Sequence, residues 1–424
     1  MANERVRFIH ATQLDLDEPL VGSGPLTGED RRLAEDATLI SLSRLVDACV
    51  DRAVDFFLLT GNAFTGGELS LRAKSAIEAA LGRLDDNNIP SFILPGHTDP
   101  PSAWSGIRTP DSVTIFDAND DEPTDLVSDG RTLATIIPLV GAHGEEAHWD
   151  FLDHALQTAR GLKIGLIAEG APLRWDSTGP LTLDRSPSSS GALAIVQQAI
   201  AAEVDYIGFG GNGARRTIRS GSTLIHSPGP SQSRFRRGIG PHGCTVVESK
   251  SDGSLVHELV KTAPVRWEAL PVEVRPGVSF DELVQKMAMQ LVDREVGQES
   301  MWLVQWIVRG SGELFDLLGE SKTQRELWEF LDEEVRTEGV RRHHLLTREP
   351  PVEDGELETT NLFLEYTGAI SDQLQPGAPE WKERGKVFES VQAPWASSLN
   401  RVVYRMDPEH VGYESRRLAR LWWT

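Results

Sequence analysis

The chain alternates short apolar runs with longer stretches in which apolar residues recur every three or four positions. Four of the short runs open into small or polar residues: Phe8-Ile9-His10-Ala11-Thr12-Gln13-Leu14-Asp15, Leu58-Leu59-Thr60-Gly61-Asn62-Ala63-Phe64, Phe92-Ile93-Leu94-Pro95-Gly96-His97-Thr98-Asp99 and Tyr206-Ile207-Gly208-Phe209-Gly210-Gly211-Asn212-Gly213. Between them, Leu39, Leu42, Leu45, Val46 and Cys49, then Ala76, Ile77, Ala80, Leu81 and Leu84, have the spacing of one helix face. The run Asp55-Phe56-Phe57-Leu58-Leu59 is continuously apolar, as a strand buried on both faces requires. The order strand, helix, strand, helix, strand predicts a layered α/β domain. In such sheets ligand sites gather just beyond the carboxyl ends of strands, so the four run ends are where a site is expected.

Further along, strands are predicted over 113–116 and 132–138, separated by an acidic loop over 117–125, and over 163–168 and 205–209. A Ser/Pro/Gly-rich loop spans 176–190, and a helix over 191–203 leads into the last of these strands. Antiparallel strands follow over 217–220, 223–226, 243–249 and 255–261, with Gly-bearing turns such as Ser251-Asp252-Gly253. Pro264, Pro271 and Pro276 mark a linker. Beyond it, Ser279 and Glu282 form a capping-box pair ahead of a helix over 279–292, followed by a strand over 301–308 and a helix over 324–338. A second linker covers 350–358, and a mainly helical tail over 359–424 ends in Arg416, Arg417, Arg420, Trp422 and Trp423. The expected domains are 1–270, 276–349 and 359–424, with no internal repeat.

Composition narrows the classes. With 64 acidic against 42 basic residues over 424, the formal charge is −22, which opposes binding to a phosphate backbone unless basic residues gather on one face. A 39% hydrophobic content suits a globular protein, and no apolar run approaches the roughly 20 residues that span a bilayer. The N-terminus enters a strand-like run without a leader pattern, so a cytoplasmic protein is expected. Cys49 and Cys244 make no CxxC motif and read as buried apolar residues.

The first domain resembles the calcineurin-like metallophosphoesterases, specifically the SbcD-like DNA-repair exonuclease subunit, whose signature runs Asp-x-His, Gly-Asp-x-x-Asp, Gly-Asn-His-Asp, His, Gly-His-x-His. The residues that carry it are Phe8-Ile9-His10-Ala11, Val54 to Gly61 in sequence, Ile89-Pro90, Asp99-Pro100, Asp205-Tyr206, Ala214-Arg215-Arg216, Ser227-Pro228-Gly229 and Gly240-Pro241-His242-Gly243-Cys244. The match in order and spacing covers residues 5–275. It implies a β-sandwich flanked by helices, with a small α/β capping module and a partner-binding tail. It also implies metal-dependent phosphodiester hydrolysis, homodimers and an SbcC-like ATPase partner.

Position by position, the chemistry departs from that family. Two-metal cleavage needs hard oxygen and imidazole ligands holding cations about 3.5 to 4 Å apart. The first Asp is replaced by Gln13 and its His by Asp15, and the bridging Asp by Asn62. In the Gly-Asn-His-Asp segment, Asn becomes His97 and the general-acid His becomes Thr98, which cannot donate a proton near neutral pH; Asp99 remains. The lone strand-end His corresponds to Ala168, or to Glu169 if the register slips by one, and the paired histidines become Gly211 and Gly213.

These replacements predict a binding protein without catalysis, and the resemblance implies an SbcC-like ATPase or an active nuclease paralogue as its partner. The alternative is a phosphoesterase with one weakly held divalent metal such as manganese on Asp15, His97 and Glu169 or Asp99. Asp15 and His97 also read as a hydrogen-bonded pair in a polar cleft, and His10 as a satisfied core residue. Gly210, Gly211 and Gly213 fit neither GxGxxG nor a Walker loop. Arg215-Arg216 and Arg234-Arg236-Arg237 read as scattered surface charge or as a polyanion contact. Trp422 and Trp423 with Arg416 and Arg420 read as a docking helix or as self-packing.

Overall fold

The computed structural model describes residues 5–65, 69–117, 123–139, 155–168, 173–174, 182–183, 196–211, 213–335, 340–349 and 369. The chain divides into two compact units, Met1–Glu349 and Pro350–Thr424. The tail with Arg416, Arg420, Trp422 and Trp423 lies outside the described residues, as does Glu169.

Strands β1 (Arg7–Ala11), β2 (Phe56–Thr60), β3 (Ser91–Leu94) and β4 (Val113–Ile115) run parallel in one sheet. The connections are helices α1 (Gly28–Asp51), α2 (Leu71–Asp86) and the short α3 (Pro101–Trp104). A second sheet is built from β5 (Thr124–Ser128), β6 (Arg131–Pro138), β7 (Leu162–Ile167), β10 (Tyr206–Phe209), β11 (Arg216–Ser220) and β12 (Thr223–Ser227), in the order β11-β12-β10-β7-β6-β5. The two-residue strands β8 (Leu173–Arg174) and β9 (Thr182–Leu183) pair antiparallel with each other. Strands β13 (Gly243–Ser249) and β14 (Leu255–Lys261) return antiparallel to complete the first sheet as β14-β13-β1-β2-β3-β4.

Alternation along each strand explains the layering. Phe8, Phe56, Leu58, Phe92 and Leu94 point to the second sheet, where they meet Ile136, Ile164, Leu166 and Tyr206. Their neighbours Ile9, Phe57, Leu59 and Ile93 point the other way, onto Leu42, Leu45 and Val46 of α1 and Ile77, Leu81 and Leu84 of α2. Ile137, Ile207, Phe209 and Ile225 on the outer face of the second sheet pack on Val196 and Ala199. Both faces of both sheets are thus covered, which is why the strands read as unbroken apolar runs. No described helix is long and apolar enough to cross a membrane.

Three differences from the sequence reading have identifiable causes. The interval 264–276 is not a linker: β15 (Val265–Val274) is a ten-residue strand, and the expected boundary at 270–276 cuts it. Among the described residues it is an edge strand whose one ladder partner is β16 (Met301–Gly310), with isolated bridges to Ile239 and Gly240 at Trp267, so the missing N–H of Pro271 is tolerated. The last two residues of the acidic loop at 117–125, Thr124 and Asp125, belong to β5, because Asp129 (φ 50°) and Gly130 (φ 75°) close a two-residue hairpin between Ser128 and Arg131. Finally, β17 (Arg341–Glu349) runs parallel to β16 in a stretch whose charged composition gave no strand signal.

β15, β16 and β17 form a third, all-parallel sheet. Leu270, Val272, Trp302, Val304, Trp306 and Val308 face the helices Phe280–Val292 and Ser321–Glu334, the second of which was expected over 324–338. The capping box at Ser279 and Glu282 is formed in both directions. On the opposite face, Val265, Trp267, Met301 and Leu303 pack against Ala34 and Ala37 of α1.

Candidate functional site

The carboxyl ends of β1, β2, β3, β7 and β10 converge where the two sheets of the sandwich meet. Glycine permits the approach. A Cβ on Gly210 would overlap the carbonyl oxygens of Thr60 and Ala168, one on Gly61 would strike Ala168 O, and one on Gly96 would lie 2.9 Å from Gly61 Cα. Packing alone therefore requires glycine at 210, whereas a Cβ on Gly213 would meet nothing within 4 Å.

Around this floor the loops adopt left-handed conformations: Gln13 (φ 50°), Asp15 (φ 45°), Gly61 (φ 63°), Asn62 (φ 57°) and Gly211 (φ 88°). For side chains other than glycine such backbone costs about 1 kcal/mol or more, so it persists only where the surroundings enforce it. Here they do: Gln13 N donates to Gly61 O (3.2 Å), Asp15 N to Asn62 O (3.2 Å) and Leu16 N to Ala63 O (3.0 Å). The loop after β1 is zipped onto the loop after β2.

Asp99 clamps the third loop to the second. Its carboxylate accepts from Asn62 N (2.8 Å), Ala63 N (3.1 Å) and Gly96 N (2.9 Å), and its carbonyl accepts from Trp104 Nε1 (3.1 Å). The residue is fully buried. Burial pushes its carboxyl up to about 6, against the backbone donors that favour the anion. Thr98 Oγ1 donates to Asn62 Oδ1 (3.0 Å), so the residue that the resemblance sets at the bridging position is held by the one it sets at the general-acid position. Gln13 Oε1 accepts from Gly213 N (3.2 Å), joining the β1 and β10 loops. Gln13, Asn62, Thr98, Asp99, Ala168, Gly211 and Gly213 thus all lie at or beside the convergence of these strand ends, while His97 is exposed at the rim.

One residue at this cleft was misread from the sequence. Arg234 is buried, not a surface charge: Nη1 lies 3.5 Å from Asp15 Oδ2 and Nη2 2.9 Å from Glu18 Oε2, with Nε donating to Pro19 O (3.4 Å). Glu18 also accepts from Thr65 Oγ1 (2.8 Å). No local signal in the sequence marked this role, which depends on the segment after Ser227-Pro228-Gly229 running alongside the chain that follows β1: Thr12 bridges Pro230 and Val21 bridges Phe235. Arg236 is likewise bound, to Gly22 O, while Arg237 is exposed.

Beneath the cleft lies a buried polar layer between the sheets. His10 Nδ1 is 2.7 Å from Tyr206 Oη and Nε2 is 2.7 Å from Thr60 Oγ1. His226 contacts Thr217 Oγ1 and Thr245 Oγ1, each at 2.8 Å. Burial lowers the two histidines to about 3 and about 2, so both are neutral and fully hydrogen-bonded.

Among the described residues the donor set does not fit a dinuclear metal site. Among the described residues no group of three or more His, Cys, Asp or Glu side chains is placed to hold a metal ion. Asp99 spends its carboxylate on backbone amides, Asn62 brings no charge, and Asp15 faces a guanidinium.

No family model matches the sequence. The chain is 25% identical over 285 residues to the "uncharacterized metallophosphoesterase YhaO" of Bacillus subtilis (strain 168), an alignment covering 66% of this chain and 65% of the relative. The chain thus matches slightly less than two thirds of that protein's length. The similarity supports the metallophosphoesterase resemblance carried by the motifs. Among solved structures, GAP50, the anchor in the inner membrane complex of Plasmodium, is 14% identical, with 61% of this chain and 85% of that chain covered at a TM-score of 0.38. A dimetal phosphatase from Danio rerio is 11% identical, with 57% and 92% covered at a TM-score of 0.34.

Proposed function

We propose that this metallophosphoesterase-like chain is a pseudo-nuclease, which uses the scaffold of an SbcD-like subunit to bind a partner rather than to cut DNA. The observation that carries the reading is at the bridging position. A neutral Asn62 amide is held there by Thr98, and the neighbouring Asp99 carboxylate is consumed in closing the loops. A dinuclear mechanism needs a charged bridge and a proton donor at these two places. The partner in this reading is an SbcC-like ATPase or an active nuclease paralogue in the cytoplasm, engaged through Arg416, Arg420, Trp422 and Trp423, with a homodimer as the assembled form.

The test is hydrolysis of linear duplex DNA by purified protein with manganese. The expected outcome is no turnover above buffer. Turnover abolished by a chelator would overturn the reading.

The exposed imidazole of His97 favours one alternative, a phosphoesterase with a single metal on Asp15, His97 and Glu169 or Asp99. In that case His97→Ala would remove activity and bound metal together, and elemental analysis showing no metal in the wild-type protein would eliminate it.

A further inference from the structure

The disagreement between the cleft and a metal site has a specific physical content at Arg234. Two carboxylates, Asp15 and Glu18, converge at the end of β1. In a cleft shielded from water they need a positive charge nearby, since uncompensated buried carboxylates are costly. In a metal-dependent phosphoesterase a divalent ion would supply that charge. Here the guanidinium of Arg234 lies between them, and its third contact, Pro19 O, belongs to the same loop. The side chains of Arg234 and Glu18 are 10% and 7% exposed.

The position of this cation is imposed from outside the sandwich. Ser233 O accepts from Trp267 Nε1 (3.1 Å), Gln232 Nε2 donates to Val265 O (2.8 Å), and Val265 N donates to Gln232 Oε1 (3.1 Å). The first strand of the third sheet therefore braces the residues immediately before Arg234. Ser231 O accepts from Ser41 Oγ of α1 (3.0 Å), and Val21 N donates to Arg234 O (2.7 Å).

We infer that Arg234 is the resident counter-ion of the cleft, a fixed cation carried by the third-sheet brace that holds Asp15 and Glu18 and makes the fold of this site independent of divalent metal. The inference rests on the reading of the cleft as one without paired metal ions. It extends that reading by naming what stands in for them. Removing the guanidinium leaves two carboxylates aimed at one point, which is the start of a cation site.

The experiment compares wild type, Arg234→Lys and Arg234→Met by thermal melting and manganese titration calorimetry. Wild type and the lysine variant are expected to show no manganese-dependent shift. Arg234→Met should melt about 5–10 °C lower. Manganese at roughly 5 mM should return at least about half of that loss, because an ion that binds only the folded state stabilises it by mass action. If Arg234→Met does not accumulate as soluble protein, Arg234→Gln, which keeps both carboxylates, carries the test: manganese should raise its melting point, and adding Asp15→Asn should abolish the rise. Manganese binding by wild type that Asp15→Asn removes would overturn the assignment, as would a methionine or glutamine variant at Arg234 that ignores the ion. None of these readings uses hydrolysis, so DNA cleavage by the wild type would sink the binding-only function separately.

Discussion

The cleft and the third sheet are made by the same chain on opposite principles. The third sheet is regular: β15, β16 and β17 pair residue for residue along their length, and Trp302 and Trp306 bury large surfaces against two helices. The loops of the cleft hold four left-handed residues other than glycine, Gln13, Asp15, Asp17 and Asn62, and are closed by a handful of polar atoms. In the sheet, stability grows with area and no single polar contact decides the shape. In the cleft the order is reversed, since Asp99 alone ties two loops together through three amides.

The comparison makes its largest prediction in the sheet. Trp306 is fully buried, and its indole Nε1 donates to His344 Nδ1 (3.0 Å). Trp306→Ala should cost about 3–5 kcal/mol by denaturant midpoint, while leaving amide exchange at Asn62 and Ala63 unaltered. Accelerated exchange there would break the separation between the two regions.

Acid comes next. His10 and His226 titrate at about 3 and about 2 in the fold against an ordinary 6.5. The unfolded chain therefore takes up protons that the fold refuses, and their contribution is complete above pH 6.5 and lost as pH falls toward the folded values. Asp99, raised from 3.8 to about 6, has the opposite sign: its contribution is present below 3.8 and lost as pH rises through 6. Two histidines against one carboxyl leave a net loss of about 1.4 kcal/mol per pH unit between pH 6 and 4. Burial also lowers His242, His257 and His343, which adds to the loss, and raises Asp205, which opposes it. Unfolding measured across this window should show that slope, and Asp99→Asn should about double it. A flat profile in the wild type would mean that the intersheet histidines are not held neutral.

Asp99→Ala follows, expected to cost about 2–3 kcal/mol because the buried amides of Asn62, Ala63 and Gly96 lose their acceptor. Although it costs less than Trp306→Ala, it should accelerate exchange of those amides by at least about tenfold, which the tryptophan variant should not. The smallest effect belongs to Ser279→Ala, worth about 1 kcal/mol through the lost capping box and confined to the helix Phe280–Val292. A loss larger than that of Asp99→Ala would overturn the view that the sheet region rests on area rather than on single polar atoms.

The sequence determined the layered arrangement, because apolar runs such as Phe56-Phe57-Leu58-Leu59 and the helical spacing of Leu42, Leu45, Val46 and Cys49 are local patterns that state which faces are buried. It also determined that Gln13, Asn62 and Thr98 stand at strand ends, and the structure brings them together there. Tertiary structure alone decided that Val265–Val274 and Arg341–Glu349 are strands, since Pro271 is admissible only on an edge and the charged β17 acquires its form from β16. It alone decided the role of Arg234, which is one basic residue among several in the sequence until a brace from another sheet carries it to two carboxylates 216 and 219 positions away. Periodicity encodes burial over a few turns of chain, whereas the partner of a charge is set by which loops the whole fold brings into contact.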